Sequence, residues 1–297
     1  MFAVFWALQI FISKLGFIRG AQVIPYQIFT TFIGLGVISI LIVPGAHIEF
    51  AALFKNKPGV FWKLYAANVL QSGVGNILSL IGIALTAAIN AGFLVKISTV
   101  TTILFAWIIL KEKLSPLKII TMIVMLIGAY LLTTKGQTLL PRIGDLFILG
   151  ACVCWSLGTV FVAKILKAQA ISPDVITIQK PFAGFPVFLG LAGVVVAFPD
   201  FFASLNSALS CCTFASEYIP YALGSGLSLA LTWIFLLRTL NVTTASYMTM
   251  MSMITPVVVS ILAIIFLGET LVWIQILGMG MILLSGITVY FSDISHS

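Results

Sequence analysis

Charge is what this sequence has least of. Asp, Glu, Lys and Arg make up 8% of the 297 residues, against roughly a quarter in an ordinary soluble domain. That scarcity excludes a water-soluble globule. Acidic residues are rarer than basic ones, eight against fifteen. All eight fall at expected helix ends, in loops or in the tail, so no Asp or Glu stands ready at mid-membrane to carry a proton or bind Na⁺ in the usual way. Four cysteines and two histidines offer no metal centre. Cys152 and Cys154 lie inside an apolar stretch, and the adjacent Cys211 and Cys212 have no histidine partners at zinc spacing. There is no Walker sequence, Gly224-Ser-Gly226 does not open a strand-to-helix nucleotide turn, and His47-Ile-Glu49 lacks the cysteine pair of a zinc deaminase. No convergent acid/base set is present either, so neither an enzyme nor a cofactor is expected. No basic residue precedes Phe2 and no small-residue cleavage site follows the first apolar stretch, so that stretch is expected to remain as a helix.

What is there is apolar. Hydrophobic residues reach 61%, and charge-free intervals such as 64–95, 239–268 and 270–292 match or exceed the ~20 residues that cross a bilayer as a helix. Nothing alternates at the two-residue period of a transmembrane barrel. The expected architecture is an all-α integral membrane protein of ten transmembrane helices, near 2–18, 22–44, 63–84, 88–110, 116–134, 144–165, 175–198, 217–238, 242–267 and 272–291. The third and fourth share one uncharged run and are divided near Thr86. Lys135, Gly136, Pro141 and Arg142 interrupt the pattern between two units, 1–135 and 144–291.

The units look duplicated. Leu110-Lys-Glu112-Lys-Leu114 and Leu267-Gly-Glu269-Thr-Leu271 each close an apolar run, and at the same offset Thr86 meets Thr243, Ala88 meets Ala245, Ile97 meets Ile254 and Ala106 meets Ala263. Five helices per unit, an odd number, make the repeat inverted, as alternating access requires. Basic residues set the orientation. Lys55, Lys57, Lys63, Lys111, Lys113, Lys118, Lys164, Lys167 and Arg238 fall on one side and only Lys14, Arg19, Lys135 and Arg142 on the other. Both termini are therefore expected in the cytoplasm, and the protein in the cell membrane. The excess of basic residues marks loops facing a lipid bilayer, not a nucleic-acid surface.

Trp6 and Trp155 early in the first helix of each unit, the two Leu-x-Glu-x-Leu endings, Ser252-Met-Ile-Thr-Pro256, Leu126-Ile-Gly128 and Leu284-Ser-Gly286 occur in an order that resembles the drug/metabolite transporter superfamily. The resemblance is to its ten-helix members with two EamA-type repeats and covers essentially the whole chain. It implies an exporter or facilitator of a small polar metabolite, an amino acid or organic anion, acting as a monomer or homodimer. A lipid-headgroup flippase or a noncatalytic partner of a membrane complex is the alternative. Two positions depart from the family pattern: Thr99 stands opposite Pro256, and Gln27 stands where arginine is frequent.

Lys96 is the sharpest candidate site residue. The midpoint of 88–110 lies near residue 99, so Lys96 is about 4.5 Å from it along the axis. Burying an ammonium there costs on the order of 3 kcal/mol or more, so such residues usually face a cavity and act on a substrate. Gly92, Lys96, Thr99 and Ile103 share a helical stripe whose counterparts are Thr249, Met253, Pro256 and Ser260. Pro256 frees a carbonyl near the midplane. A second pair of stripes carries Asn68 and Gln71 in one unit and Tyr221, Ser225 and Ser228 in the other; such residues either line the cavity or bond neighbouring helices. Lys96 is expected to hold a carboxylate or phosphate, with Asn68, Gln71, Tyr221, Ser225 and Ser228 orienting the solute and Trp155 and Met253 shaping the wall. Glu112 and Glu269, at helix ends, are expected to cap, pair or gate. Lys180, near the cytoplasmic start of the seventh helix, is expected to snorkel to the surface.

Overall fold

The computed structural model describes residues 1–169, 171–205 and 216–294, and every element among them is helical. Cys211 and Cys212 lie outside the described residues. Ten helices build the membrane bundle: α1 (Phe2–Ile18), α2 (Val23–Leu41), α3 (Pro58–Leu85), α4 (Ala88–Leu94 continued by Ile97–Phe105 and Ala106–Leu110), α5 (Pro116–Thr134), α6 (Ile143–Gln169), α7 (Pro173–Ala197), α8 (Ile219–Val242), α9 (Ala245–Ser252 continued by Thr255–Leu267) and α10 (Trp273–Ile294). Nine of them have the length and hydropathy of a membrane span; α1, with 17 residues, is the shorter tenth. Ile40, Ile265, Phe266 and Leu284 point outward from the bundle and stay exposed, as lipid-facing residues must.

Local sequence explains the starts of several helices. Ser115 and Ser172 cap α5 and α7, accepting from Lys118 N at 3.3 Å and Asp174 N at 3.3 Å, and Pro116 and Pro173 follow where a missing N–H costs nothing. Thr244 caps α9 by accepting from Tyr247 N at 3.1 Å.

One element departs from the expected pattern. The run expected to stop near residue 44 kinks at Ile42 and continues as a separate helix, Val43–Asn56, with Pro44 in its first turn. Ala46 and Leu53 are buried against the bundle while Ile48 and Phe54 remain exposed. Its Glu49 carboxylate accepts from Ser172 N at 3.0 Å and ties this helix to the start of α7. The short helix Pro199–Leu205 also lies outside the ten.

The duplication is geometric as well as sequential. α4 and α9 end in left-handed residues at corresponding positions, Lys111 (φ 57) and Gly268 (φ 64). In each, the next amide folds back onto a carbonyl, Glu112 N to Ala106 O and Glu269 N to Ala263 O, both at 3.3 Å. This is a left-handed C-terminal closure one residue wider than the Schellman motif; Gly268 adopts it freely, whereas Lys111 does so at a steric cost of about 1–2 kcal/mol. Helix pairing follows the same symmetry. α1 packs on α8 as α6 packs on α3, α1 packs on α9 as α6 packs on α4, and α2 on α7 and α5 on α10 are pairs that map onto themselves. Small residues permit the closest crossings: a Cβ on Gly128 in α5 would stand 2.7 Å from the Gly278 carbonyl oxygen of α10, and one on Gly82 in α3 would stand 2.9 Å from that of Gly144 in α6.

The two ends of the bundle are not packed alike. At the end that carries Glu112, one continuous hydrophobic cluster joins Phe2 of α1, Ile38 of α2, Phe61 of α3, Ala106 of α4, Leu166 of α6, Val175 of α7, Leu237 of α8 and Ala245 of α9. Toward the other end the buried residues form separate small groups, Ile24 with Val195, Ala21 with Tyr26 and Ala222, and Ala91 with Ile148 and Cys152.

Candidate functional site

The helical hydrogen-bond ladder of α4 is interrupted after Leu94 and resumes at Ile97, so Lys96 sits in the break. There the bonds tighten to the i→i+3 pattern: Lys96 N to Phe93 O at 2.8 Å, Ser98 N to Val95 O at 3.2 Å and Thr99 N to Lys96 O at 3.0 Å. α9 breaks at the corresponding place, with Met253 N to Met250 O at 3.0 Å and Val257 N to Ile254 O at 3.0 Å, and Pro256 stands in the first turn of its second segment. The proline explains the second break; the first occurs with Thr99 in its place.

The two break residues have unlike surroundings. Met253 is fully buried among Met125, Met250 and Ile282, where α5, α9 and α10 meet. Lys96 is only partly buried, and among the described residues its amine has neither a hydrogen bond nor a carboxylate. Its neighbour is the Trp6 ring of α1, with Nζ 5.9 Å from the centroid, which offers a weak cation–π contact. α6 braces the break from behind. Cys152 Sγ donates to Leu94 O at 3.4 Å, Ser156 Oγ donates to Ser98 O at 3.1 Å, and Thr102 Oγ1 donates to Ser156 Oγ at 2.8 Å. Trp155 turns instead toward α3, donating Nε1–H to Asn76 Oδ1 at 2.8 Å.

The polar stripes of α3 and α8 bond neighbouring helices. Asn68, fully buried, donates to Gln179 Oε1 of α7 at 3.1 Å, and Gln179 in turn donates to Phe61 O at 3.1 Å. Ser225 joins Tyr26 of α2 at 2.7 Å and Ser13 of α1 at 3.2 Å. Ser228 is buried nearby in α8. Tyr221 is partly buried with the Arg19 guanidinium 5.0 Å above its ring.

Lys180 corrects the sequence reading. It does not snorkel: the residue is 2% exposed, and its ammonium donates to Gln71 Oε1 and to Ser72 Oγ (3.4 Å) halfway along α3. Gln71 uses its own amide to reach Thr159 of α6. The reason is local. α3 opens into a π-helical turn over Val69–Val74, and α7 approaches it closely through Gly184, where a Cβ would stand 3.2 Å from Ser72 O. That approach gives the lysine a nearer set of acceptors than the membrane surface. The available signal was Pro181, which follows Lys180 inside α7 and removes a backbone donor there.

A bundle of ten apolar helices, related in two fives and broken at matching positions in the fourth and ninth, is the architecture of a membrane carrier. The profile of the EamA-like transporter family matches residues 1–134 and 142–291. The chain belongs to that family. It is 26% identical to an uncharacterized transporter of Clostridium kluyveri over 98% of this chain and 91% of the relative, and 27% identical to an uncharacterized transporter of Methanothermobacter thermautotrophicus over 52% and 43%. A solved protein structure superposes with a TM-score of 0.68 over 95% of this chain and 93% of the other, at 15% identity, which speaks for the fold alone.

In this EamA-type transporter the two matching glutamates do different work. Glu112 accepts from Ala245 N at 2.9 Å and from Ser246 N and Oγ at 3.2 and 2.6 Å, so it closes the first turn of α9 beside the large cluster. A carboxylate there satisfies orphan amides and meets the positive end of the helix dipole. Glu269 instead pairs with Lys14 of α1 at 2.7 Å, both side chains being well exposed (50% and 41%). At that end the start of α4 is held by Asp145 of α6, which accepts from Thr86 Oγ1, from Asn90 Nδ2 at 3.0 Å and from Arg142 N at 2.9 Å.

Proposed function

We propose that the protein carries a small anionic or zwitterionic metabolite, an organic anion or amino acid, across the cell membrane by alternating access between two inverted units, 1–135 and 144–291. One observation carries the reading: Lys96, in the break of α4, is a partly buried lysine with no protein counter-ion among the described residues. A cation held at mid-membrane without a carboxylate is costly, and a solute carboxylate or phosphate offsets that cost only while bound. The matched break in α9 and the wall formed by Trp6 support the same place. The unequal ends suit a carrier caught in one of its two states, closed where Glu112 caps α9 and open where Glu269 pairs in solvent. With both termini in the cytoplasm, the closed end is the cytoplasmic one.

Selective binding stabilises a folded protein by mass action. Amino acids and organic anions are therefore expected to raise the unfolding temperature of the purified protein, whereas matched cations and neutral analogues are not. The stabilising solute is expected to drive counterflow in proteoliposomes. Stabilisation by cations alone would overturn the anionic reading. Orientation is tested separately with single cysteines at Lys118 and Lys135: only the second is expected to react with an impermeant reagent applied to intact cells, and equal labelling of both contradicts the topology.

A further inference from the structure

We propose that Lys180 is a second cationic station of the transport site, and that the solute therefore carries two anionic groups, as a short dicarboxylate does. This deepens the reading above and rests on it. The ammonium of Lys180 lies against residues 71 and 72, the middle of the 28-residue span of α3, as far from either surface as that helix allows. Its partners are a neutral amide and a hydroxyl, and among the described residues no carboxylate comes within ion-pair distance. A helix–helix contact needs no charge, and an amide or hydroxyl at this position would bond Gln71 at far lower cost than an ammonium. The backbone around it is irregular on both sides: a π-helical turn on α3, Pro181 on α7. Such irregularities inside a membrane persist where backbone lines a site. Beside them the Oδ1 of Asn68, fully buried, has no hydrogen-bond partner, so the polar set is incomplete without a ligand.

α6 serves as a ruler between the two lysines. The backbone flanking Lys96 meets Cys152 and Ser156, whereas Gln71, which holds Lys180, meets Thr159. The two stations thus differ in depth by three to seven residues of α6, about 5–10 Å, with Lys180 nearer the closed end. A solute entering from the open end meets Lys96 first. Its second anionic group then takes the Lys180 ammonium from Gln71 and frees the contact that links α3, α6 and α7.

The experiment measures binding of succinate against butyrate, and of adipate against hexanoate, to the purified full-length protein. Wild type is expected to prefer the dianion by about tenfold or more, the contribution of one charge-assisted hydrogen bond. Lys180→Met is expected to erase that preference while still binding the monoanion, and Lys96→Met to weaken both. Gln71→Glu is the second variant, in case Lys180→Met does not fold: it supplies a permanent counter-ion beside Lys180 and is expected to abolish the preference in the same way. Equal binding of monoanion and dianion by wild type, or a preference that survives either variant, overturns the second station and leaves the Lys96 reading intact. Binding of neither series by wild type overturns the second station, and the Lys96 reading falls with it only if amino acids also fail to bind.

Discussion

Lys96→Ala is expected to reduce solute counterflow by more than tenfold while leaving membrane insertion unchanged, and to leave the ligand-free protein as stable as wild type or more so. The two halves of this expectation have one cause. A partly buried ammonium without a carboxylate costs on the order of 3 kcal/mol near the bilayer centre, and truncation removes that cost together with the first attraction that an entering anion meets. A merely structural lysine would behave in the opposite way, losing stability when cut back. Lys96→Arg sharpens the test. Arginine keeps the charge and does not deprotonate in proteins, so counterflow of an anion is expected to survive in part, whereas uptake that depends on a proton carried by residue 96 is expected to stop. Unimpaired counterflow and uptake in Lys96→Ala would remove the residue from the mechanism.

Glu112→Ala is expected to shift the protein toward the state open at the Glu112 end. The substitution deletes three hydrogen bonds from a carboxylate to the first turn of α9, each worth about 1.5–3 kcal/mol because the acceptor is charged. Glu112 is partly exposed, and solvent screening discounts the sum to below that of three fully buried bonds, about 3 kcal/mol, which moves a two-state equilibrium roughly hundredfold. The readout is a cysteine placed at Met248, buried in the large cluster of that end. Its modification by a cytoplasmic-side reagent is expected to accelerate strongly over the same cysteine in the wild-type background. Glu269→Ala breaks only an exposed ion pair, worth at most about 1 kcal/mol, and is expected to change Met248→Cys labelling little. Equal effects from the two substitutions would contradict the assignment of the closed end.

The spans were legible because apolar periodicity and the repeat constrain one another. Dividing 64–95 at Thr86 depended on the repeat, which sets Thr86 against Thr243, and on a length too great for one helix, and the chain does leave the helix at Thr86. The correspondence of Lys96 with Met253 was legible in the same way, and both occupy helix breaks. Less legible were features that depend on which face a helix presents. The helix Val43–Asn56 carries Glu49, Lys55 and His47 and so read as a loop; it packs through one narrow face, Ala46, Phe50 and Leu53, which needs little apolar surface. Lys180 read as a surface residue because its distance from the start of α7 allows snorkelling. What decided otherwise was the opening of α3 opposite it, a backbone feature that no composition announces. Asn68 and Ser225 stood out as polar positions, but choosing between a cavity wall and a helix contact required knowing that Gln179 and Tyr26 lay within reach.

The missing proline of α4 makes the two units unequal as machines. In its break the backbone amides still donate, in a tighter pattern, and rotating a few torsions would return the Thr99 amide to the carbonyl four residues back. The segment can therefore straighten into one continuous rod and bend again. α9 has no such freedom, because Pro256 has no amide hydrogen to offer Ser252 and its ring fills the space a straight helix would need. Inverted repeats are often pictured as exchanging conformations when the carrier turns over. Here the two breaks are unequal by construction: one is free to straighten, the other is held by its proline, and the lysine sits in the first.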